Sequence, residues 1–433
     1  MRTRTAAALI LKRVVEDREP LSLLLPEYSG KIRDGSYPWL MAAAAGTLRH
    51  FAFISGAAGK LLRKKPSGRK SAVYFLIAAG IHELLFMSTE EYASVNETVE
   101  AAKELGFPEL SGVVNGVLRN ILRQKERLSA EAEAEGFPAE NELPGWLMES
   151  LGRDFGAAAA FSFAEDAMNE PPMWVRINSG KLTREKFRDA LESCGSGEKS
   201  FIAPSAVLLT KPLPVDRLPF FREGLTTVQD ISAQKSVWYL APEKGERILD
   251  MCAAPGGKTS EILELTGNTA EVTALDISKS RVRRLEENLR RLSLSVTCIA
   301  ADARKTKSWW DGKPFDRVLL DAPCSGTGVI RRHPDIRFIR TPADIAKLAG
   351  AQRELMDTAW SVLRPGGVLL YSTCSVMKAE NELQADDFLR RHADAVPEEL
   401  FAGGPVRHQV LPGEDDGDGF FFARFRKKPE RAA

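Results

Sequence analysis

The sequence predicts an α+β multidomain protein: an all-helical amino-terminal domain, a small mixed α/β linker domain, and a carboxyl-terminal α/β domain built on a parallel sheet. Three observations predict it. Over roughly the first 125 residues, apolar side chains recur at three- and four-residue spacing and prolines are rare, the helical pattern. From Gly245 onward, short apolar strands alternate with helical stretches, the pattern of strands joined by crossover helices. With 433 residues, the chain is long enough to bury two or three separate cores.

The expected boundaries are 1–125 for the helical domain, 126–143 for a linker, 144–240 for the small α/β domain and 241–433 for the large one. In the first, Ser71–Phe86 is almost wholly apolar and reads as a buried helix. Lys60, Arg63, Lys64, Lys65, Arg69 and Lys70 flank Pro66 with no acid among them. They form either a solvated loop or a phosphate-contacting patch. The linker is polar, carries the run Ala130–Glu135 and is punctuated by Gly136, Pro138 and Pro144. In the small domain, Pro171–Asn178 and Ala206–Thr210 read as strands and Leu182–Leu191 opens a helix. Arg176 and Asn178 fit either an RNA-facing surface or an exposed strand edge. In the large domain the expected strands are Arg247–Met251, Glu271–Asp276, Ser295–Ala300, a run around Val318–Leu320, and Val368–Cys374. Residues 418–426 alternate like an antiparallel edge strand.

Composition narrows the function classes. Apolar residues make up 44% and charged residues 27%, ordinary values for a soluble globular protein. The net charge of +1 gives no global field, so any nucleic-acid surface must be local. Five cysteines without CxxC spacing argue against a disulfide framework or structural zinc, and for a reducing compartment. Met1–Lys12 carries basic residues and a short apolar run, but lacks the length and cleavage site of a signal peptide. No uncharged apolar stretch reaches the roughly 18 residues of a membrane span. A cytoplasmic protein without metal or membrane partner is expected, and a monomer.

The chemistry is expected at strand ends, because ligands of open α/β sheets bind just past them. The first expected strand of the large domain runs into Cys252, Ala253, Ala254, Pro255, Gly256, Gly257 and Lys258. Small residues there let a ligand approach the backbone, and the next helix offers free N–H groups. The loop is not a GxxxxGK[ST] phosphate loop, because Ala253 stands where that pattern needs glycine. Asp276 follows about twenty residues later, where such folds place a carboxylate on ribose hydroxyls. Asp302 is placed to accept from an adenine amino group. Each acid alone also fits a helix N-cap. Two further strands end in thiols: Asp321-Ala-Pro-Cys324-Ser-Gly-Thr-Gly328 and Tyr371-Ser-Thr-Cys374-Ser375. Two such ends suggest a paired-thiol active site, against two small apolar core cysteines. The residues alone do not order the roles of the two thiols.

These motifs carry a resemblance. Asp250–Thr259, Asp276, Asp302, Asp321–Gly328 and Tyr371–Ser375 together make residues 224–426 similar to the Sun family of S-adenosylmethionine-dependent RNA cytosine-C5 methyltransferases. The resemblance implies a Rossmann-like class I methyltransferase domain that binds S-adenosyl-L-methionine. Ser94–Lys103 and Gly112–Asn120, with Asn96 and Asn115, resemble the helical fold of the NusB antitermination family, which implies an RNA-binding role for the first domain. Together they imply methylation of 16S ribosomal RNA, at cytosine 967, through a covalent adduct. By the same resemblance Cys374 is the nucleophile, Cys324 assists release, and Asp321 both stands beside ring N3 and joins Asp276 and Asp302 in the cofactor site. Cys194, Cys252 and Cys298 are then structural, and His333 reads either as a base or, beside Arg331 and Arg332, as a group that helps hold phosphate. Phe338 stands where tryptophan is expected, and Ala351 where leucine is commoner. The rival readings are C5 methylation of a transfer RNA or another ribosomal cytosine, and a non-catalytic RNA-binding assembly factor.

Overall fold

The computed structural model describes residues 1–33, 37–133 and 139–429. The chain divides into two compact units, residues 1–170 with 330–341, and residues 171–329 with 342–433.

The first unit is helical: α1 (Thr3–Asp17), α2 (Leu21–Ser29), α3 (Tyr37–Arg49), α4 (Phe51–Leu61), α5 (Ser71–Phe86), α6 (Glu91–Glu104), α7 (Ser111–Arg123), α8 (Lys125–Glu133), α9 (Gly145–Phe155) and α10 (Ala157–Met168). Helix α5 is the hub and packs against α1, α3, α4, α6 and α7. Its residues from Ser71 to Leu84 are all buried, which explains a helix apolar on every face. Its one buried acid, Glu83, accepts from Arg4 Nε at 2.9 Å and from Ser94 Oγ at 2.9 Å, so the charge is paired. The expected linker is helical as far as Glu133, and its residues 134–138 lie outside those described. In the basic run Lys60, Arg63, Lys64 and Arg69 are exposed, while Lys70 pairs with Glu109 at 3.0 Å.

Residues 330–341 belong to this unit, although they fall between two strands of the other in sequence. Arg337, 6% exposed, donates to the carbonyls of Arg49 (2.9 Å) and Glu142 (3.1 Å). Arg49 donates back to the Arg331 carbonyl at 2.8 Å. Asp335 accepts from the Leu21 N–H at 2.9 Å, and Phe338 sets its edge against Phe51. Arg331 is buried and pairs with Asp166 at 3.1 Å. Arg331 therefore lends no exposed charge to the surface around His333. Its charge is neutralised inside the fold instead.

The second unit opens with an antiparallel sheet of β1 (Trp174–Ile177), β2 (Glu198–Ala203), β3 (Ala206–Leu209) and β4 (Thr226–Val228), in the order β2-β3-β1-β4. Helix α11 (Arg184–Ser193) packs Phe187 and Leu191 against Val175, Ile177 and Val207. Here β1 is internal and Arg176 is buried, so both sequence readings of that residue are corrected. The alternation of β1 did not reveal that both of its faces are covered.

Helix α12 (Ile231–Leu240) follows, capped by Asp230, whose carboxylate accepts from the Ser232 N–H at 2.9 Å. The large sheet then forms from β5 (Arg247–Met251), α13 (Gly257–Leu265), β6 (Glu271–Asp276), α14 (Lys279–Arg291), β7 (Thr297–Ala300) and β8 (Phe315–Asp321). After α15 (Ile336–Ile339), within the segment of the helical unit, come α16 (Pro342–Val362), β9 (Leu363–Thr373), α17 (Glu382–Arg391), β10 (Ala395–Pro397), β11 (Arg407–Val410) and β12 (Phe420–Lys427). The order is β10-β12-β9-β8-β5-β6-β7, with β11 also pairing β12. Strands β9 to β7 along that order are parallel, and β12 runs antiparallel to β9. The last strand is therefore not an edge, as the sequence suggested. It lies between β9 and its two short neighbours, and Phe420–Ala423 are buried on both faces.

Strand order reverses at β5, which has β6 on one side and β8 on the other. The carboxyl ends at such a switch point leave a crevice for ligand.

Candidate active site

A cavity of about 350 Å³ opens at these strand ends, lined by Cys252 after β5, Leu275, Asp276 and Ile277 after β6, Arg281 of α14, Ala301–Arg304 after β7, Asp321–Cys324 after β8, Ala351 and Leu355 of α16, and Cys374 after β9. Five strands contribute, so the pocket is formed by the sheet register rather than by one loop.

The turn from β5 to α13 is shaped by its backbone. Cys252 has φ 62° and Gly256 φ 98°, both left-handed. A side chain on Gly256 would also press on Leu285, 3.1 Å from where its Cβ would sit. Beneath the turn, Asp250 is fully buried and accepts from Thr259 Oγ at 2.6 Å. Burial pushes its carboxyl up to about 7, against the pull of that hydrogen bond. Burial likewise pushes the Cys252 thiol up to about 12. Its sulfur is chemically quiet at neutral pH, while its backbone shapes the turn.

Asp276 is 2% exposed yet faces the cavity. It accepts from the N–H groups of Ala254 (3.3 Å) and Ser278 (3.0 Å), and Arg281 lies 3.4 Å from it. Arg281 also donates to the Ala254 carbonyl at 2.6 Å, tying α14 to the turn. The cap of α14 is Ser278, which leaves the strand-end reading for Asp276. Asp302 receives a fork from Arg304, Nε to Oδ1 and Nη2 to Oδ2, each at 2.9 Å. That guanidinium holds the Asp302 carboxyl below its ordinary value. The sequence reading named neither Arg281 nor Arg304. Their signal is local: each stands within a few residues of a strand-end acid.

Of the loop residues expected to hold a cofactor, only Cys252 lines the cavity; Ala253, Ala254, Pro255, Gly256 and Gly257 form the turn behind it. Lys258 turns to Asp321, Nζ to Oδ2 at 2.7 Å. Burial pulls the Lys258 ammonium down, but Asp321 outweighs it and holds it above its ordinary value. Ser372 donates to the other Asp321 oxygen at 3.2 Å.

The two thiols meet. Cys324 Sγ and Cys374 Sγ lie 3.4 Å apart, though 50 residues separate them in the chain. Strands β8 and β9 are parallel neighbours, with Asp321 beside Ser372, so their next residues leave the sheet together. The Ala322 N–H donates to the Ser372 carbonyl at 2.9 Å, and the Gly328 N–H to the Cys374 carbonyl at 3.0 Å. Gly328 is required there, because a Cβ would lie 2.1 Å from the Gly419 carbonyl oxygen. The Cys324 thiol is raised well above its ordinary value, first by its hydrogen bond with Cys374 and then by burial. Cys194 is exposed, and burial raises the Cys298 thiol to about 11. Among the described residues, no group of three or more His, Cys, Asp or Glu side chains is arranged to hold a metal, and no helix is long and apolar enough to cross a membrane.

Known proteins agree with this layout. Residues 237–426 match the family model described as 16S rRNA methyltransferase RsmB/F, residues 1–123 the NusB family, and residues 143–216 the ferredoxin-like domain of RsmF/B-like methyltransferases. The ribosomal RNA small subunit methyltransferase B of Salmonella arizonae is 42% identical over 98% of this chain and 98% of its own length. The crystal structure of PH0851 shares the fold across 99% of both chains, with a TM-score of 0.80 at 24% identity. The crystal structure of NSun6 from Pyrococcus horikoshii with SFG covers 66% of this chain and 98% of its own, with a TM-score of 0.59 at 25% identity. The architecture is thus a NusB-type helical domain, a ferredoxin-like middle domain and a methyltransferase domain with a mixed sheet. At this identity over its full length, the chain belongs to the ribosomal RNA small subunit methyltransferase B family.

Proposed function

We propose that this protein methylates carbon 5 of a cytosine in 16S ribosomal RNA, cytosine 967 by family resemblance, through a covalent adduct between Cys374 and carbon 6. The observation that carries this reading is the pair of thiols 3.4 Å apart beside Asp321 in one cavity. S-adenosyl-L-methionine supplies the methyl group when bound. The cavity suits it: Asp276 and Asp302 offer acceptors to hydroxyl and amino groups, and Leu275, Ile277, Ala303 and Leu355 offer an apolar wall. The Cys252–Lys258 turn supports that wall from behind. A relative solved with SFG, an S-adenosylmethionine analogue, supports the same assignment.

Carbon 5 of cytosine is a poor nucleophile. Addition of the Cys374 thiolate to carbon 6 makes carbon 5 enamine-like, the usual gain from a soft covalent catalyst. Asp321, held by Lys258 and Ser372, stands where a carboxyl group stabilises charge at ring N3. Once Cys374 is bonded to carbon 6 it bears no charge, and its hold on the Cys324 proton is gone. Cys324 then gives that proton to solvent water, and its thiolate takes the proton from carbon 5, directly or through water, ending as the thiol. Breaking the bond between sulfur and carbon 6 restores the ring and the Cys374 thiolate.

We read residues 1–125 as an RNA-binding helical domain, 126–143 as a linker, 144–240 as a small RNA-binding subdomain and 241–433 as the methyltransferase. The family matches at 1–123, 143–216 and 237–426 support this division. The exposed cations between Lys60 and Lys70 support phosphate contact. The protein works as a monomer in the cytoplasm, on a cytosine in a loop or an unstacked position.

Bisulfite mapping of 16S ribosomal RNA tests the reading. One protected cytosine should be lost when the gene is deleted and restored by the wild-type chain. Protection lost from a transfer RNA instead would move the substrate. The cofactor assignment has its own measurement. By calorimetry, Asp276→Ala should bind S-adenosylmethionine about 10- to 100-fold more weakly, the loss of a charged acceptor. Equal affinity would remove Asp276 from the site.

A further inference from the structure

Glu380 lies between β9 and α17 and is fully buried. Among the described residues, none of its hydrogen-bond partners is a cation. Its carboxylate instead collects four donors. Oε1 accepts from the Ser325 N–H at 2.8 Å and from Gln352 Nε2 at 3.1 Å. Oε2 accepts from Ser325 Oγ at 2.5 Å and Ser375 Oγ at 2.6 Å. The donors are not a random set. Ser325 follows Cys324, Ser375 follows Cys374, and Gln352 also donates to the carbonyl of Pro323, the residue before Cys324, at 3.0 Å. One buried acid therefore grips both thiol-bearing loops, one residue beyond each sulfur. The backbone carbonyl of Glu380 adds a tie to β9, accepting from Tyr371 OH at 2.5 Å.

Hydrogen bonds to an ionised acceptor are about twice as strong as neutral ones, and stronger still away from water. The ladder hydrogen bonds of β8 and β9 end before the thiols, so something must fix the loops beyond the sheet. We infer that Glu380 is a positioning residue, a buried staple that holds Cys324 and Cys374 at reacting distance. The inference rests on the reading of the thiol pair as the reacting groups. It also explains why an unpaired acid is kept inside this fold, where a neutral side chain would cost less to bury.

Phenylarsine oxide measures the thiol geometry without any turnover. It joins two neighbouring thiols: two S–H bonds break, two As–S bonds form, and the oxygen leaves as water. The full-length wild type should capture one arsenical at this pair, and Cys324→Ala should lose it. Glu380→Gln keeps the shape but turns one acceptor into a donor facing donors. It should bind the arsenical at least about tenfold more weakly. Its kcat should fall about 100-fold while the KM for RNA stays within about threefold, because reacting groups are misplaced while the RNA surface is not. Should Glu380→Gln fail to fold, Ser375→Ala and Gln352→Ala each remove one of the four donors to Glu380 and should show smaller losses in the same direction. The inference is overturned if the wild type captures no arsenical, or if Glu380→Gln, or both single-donor variants, match the wild type in capture and in kcat. If the arsenical series comes out as expected but the wild type methylates no cytosine carbon 5, the proposed reaction fails and the staple stands.

Discussion

Cys374→Ala should lose methyl transfer by roughly ten-thousand-fold or more, the scale of removing a covalent nucleophile, because no addition to carbon 6 can occur. Affinity for S-adenosylmethionine should stay close to the wild type, since the acids proposed to hold it stand on other strand ends. Cys324→Ala should fail differently. Addition and methyl transfer remain possible, but the proton on carbon 5 has no base, so elimination stalls and protein and RNA stay joined. A denaturing gel with labelled RNA separates the two: a slow band for Cys324→Ala, none for Cys374→Ala. The opposite pattern would reverse the roles, which the 3.4 Å spacing permits because either sulfur is close to the same point. Activity retained in both variants, with no band in either, would make the pair core cysteines and end the covalent mechanism.

The strand ends of this site were legible because a parallel sheet writes them locally. Each strand is a short apolar run, and the residue that breaks it (Asp276, Asp302, Asp321, Cys324, Cys374) is the residue delivered to the crevice. Register did the rest, since β8 and β9 are neighbours and bring two thiols together across 50 residues. What sequence reading missed was of another kind. Lys258 reads as the last residue of a cofactor loop, and nothing near it in sequence says that it turns to Asp321, 63 residues on. Nothing near Arg331 and Arg337 in sequence says that their partners, Asp166 and Glu142, lie far back along the chain. Glu380 has no local signal at all, because its four donors come from three separate segments. Periodicity tells which face of an element is apolar. It does not tell which distant element will bring a polar partner to that face.

Arg176 shows the same limit and carries the largest expected effect on stability. Its guanidinium is fully enclosed in the second unit. It donates to Glu264 from Nε at 2.9 Å and from Nη2 at 3.1 Å, to Ser260 Oγ at 2.8 Å, to the Gly257 carbonyl at 2.8 Å, and to Gln229. Glu261 lies 3.5 Å away, and burial pushes its carboxyl up while Arg176 pulls it down. Arg176→Ala strands two acids in a dry site and should cost about 3–5 kcal/mol, as the breaking of a buried ion pair does. The sign of the pH dependence follows from Glu261. Without Arg176 its folded carboxyl rises further above its unfolded value, so the folded state holds the proton more tightly. Stability of the variant is then greatest below the ordinary glutamate range and is lost as pH rises from there toward the raised folded value. Because burial already pushes the wild-type Glu261 carboxyl up to about 8, urea melts of wild type and variant should run parallel below that value, and the gap should widen as pH rises above it. Arg176→Ala combined with Glu264→Gln should regain part of the loss, because one stranded charge is gone. A pH-independent gap with no recovery in the double variant would mean that Arg176 contributes packing alone. The same variant also frees the Gly257 carbonyl in the first turn of α13. S-adenosylmethionine affinity should therefore fall along with stability, an effect a purely local cavity on β1 would not produce.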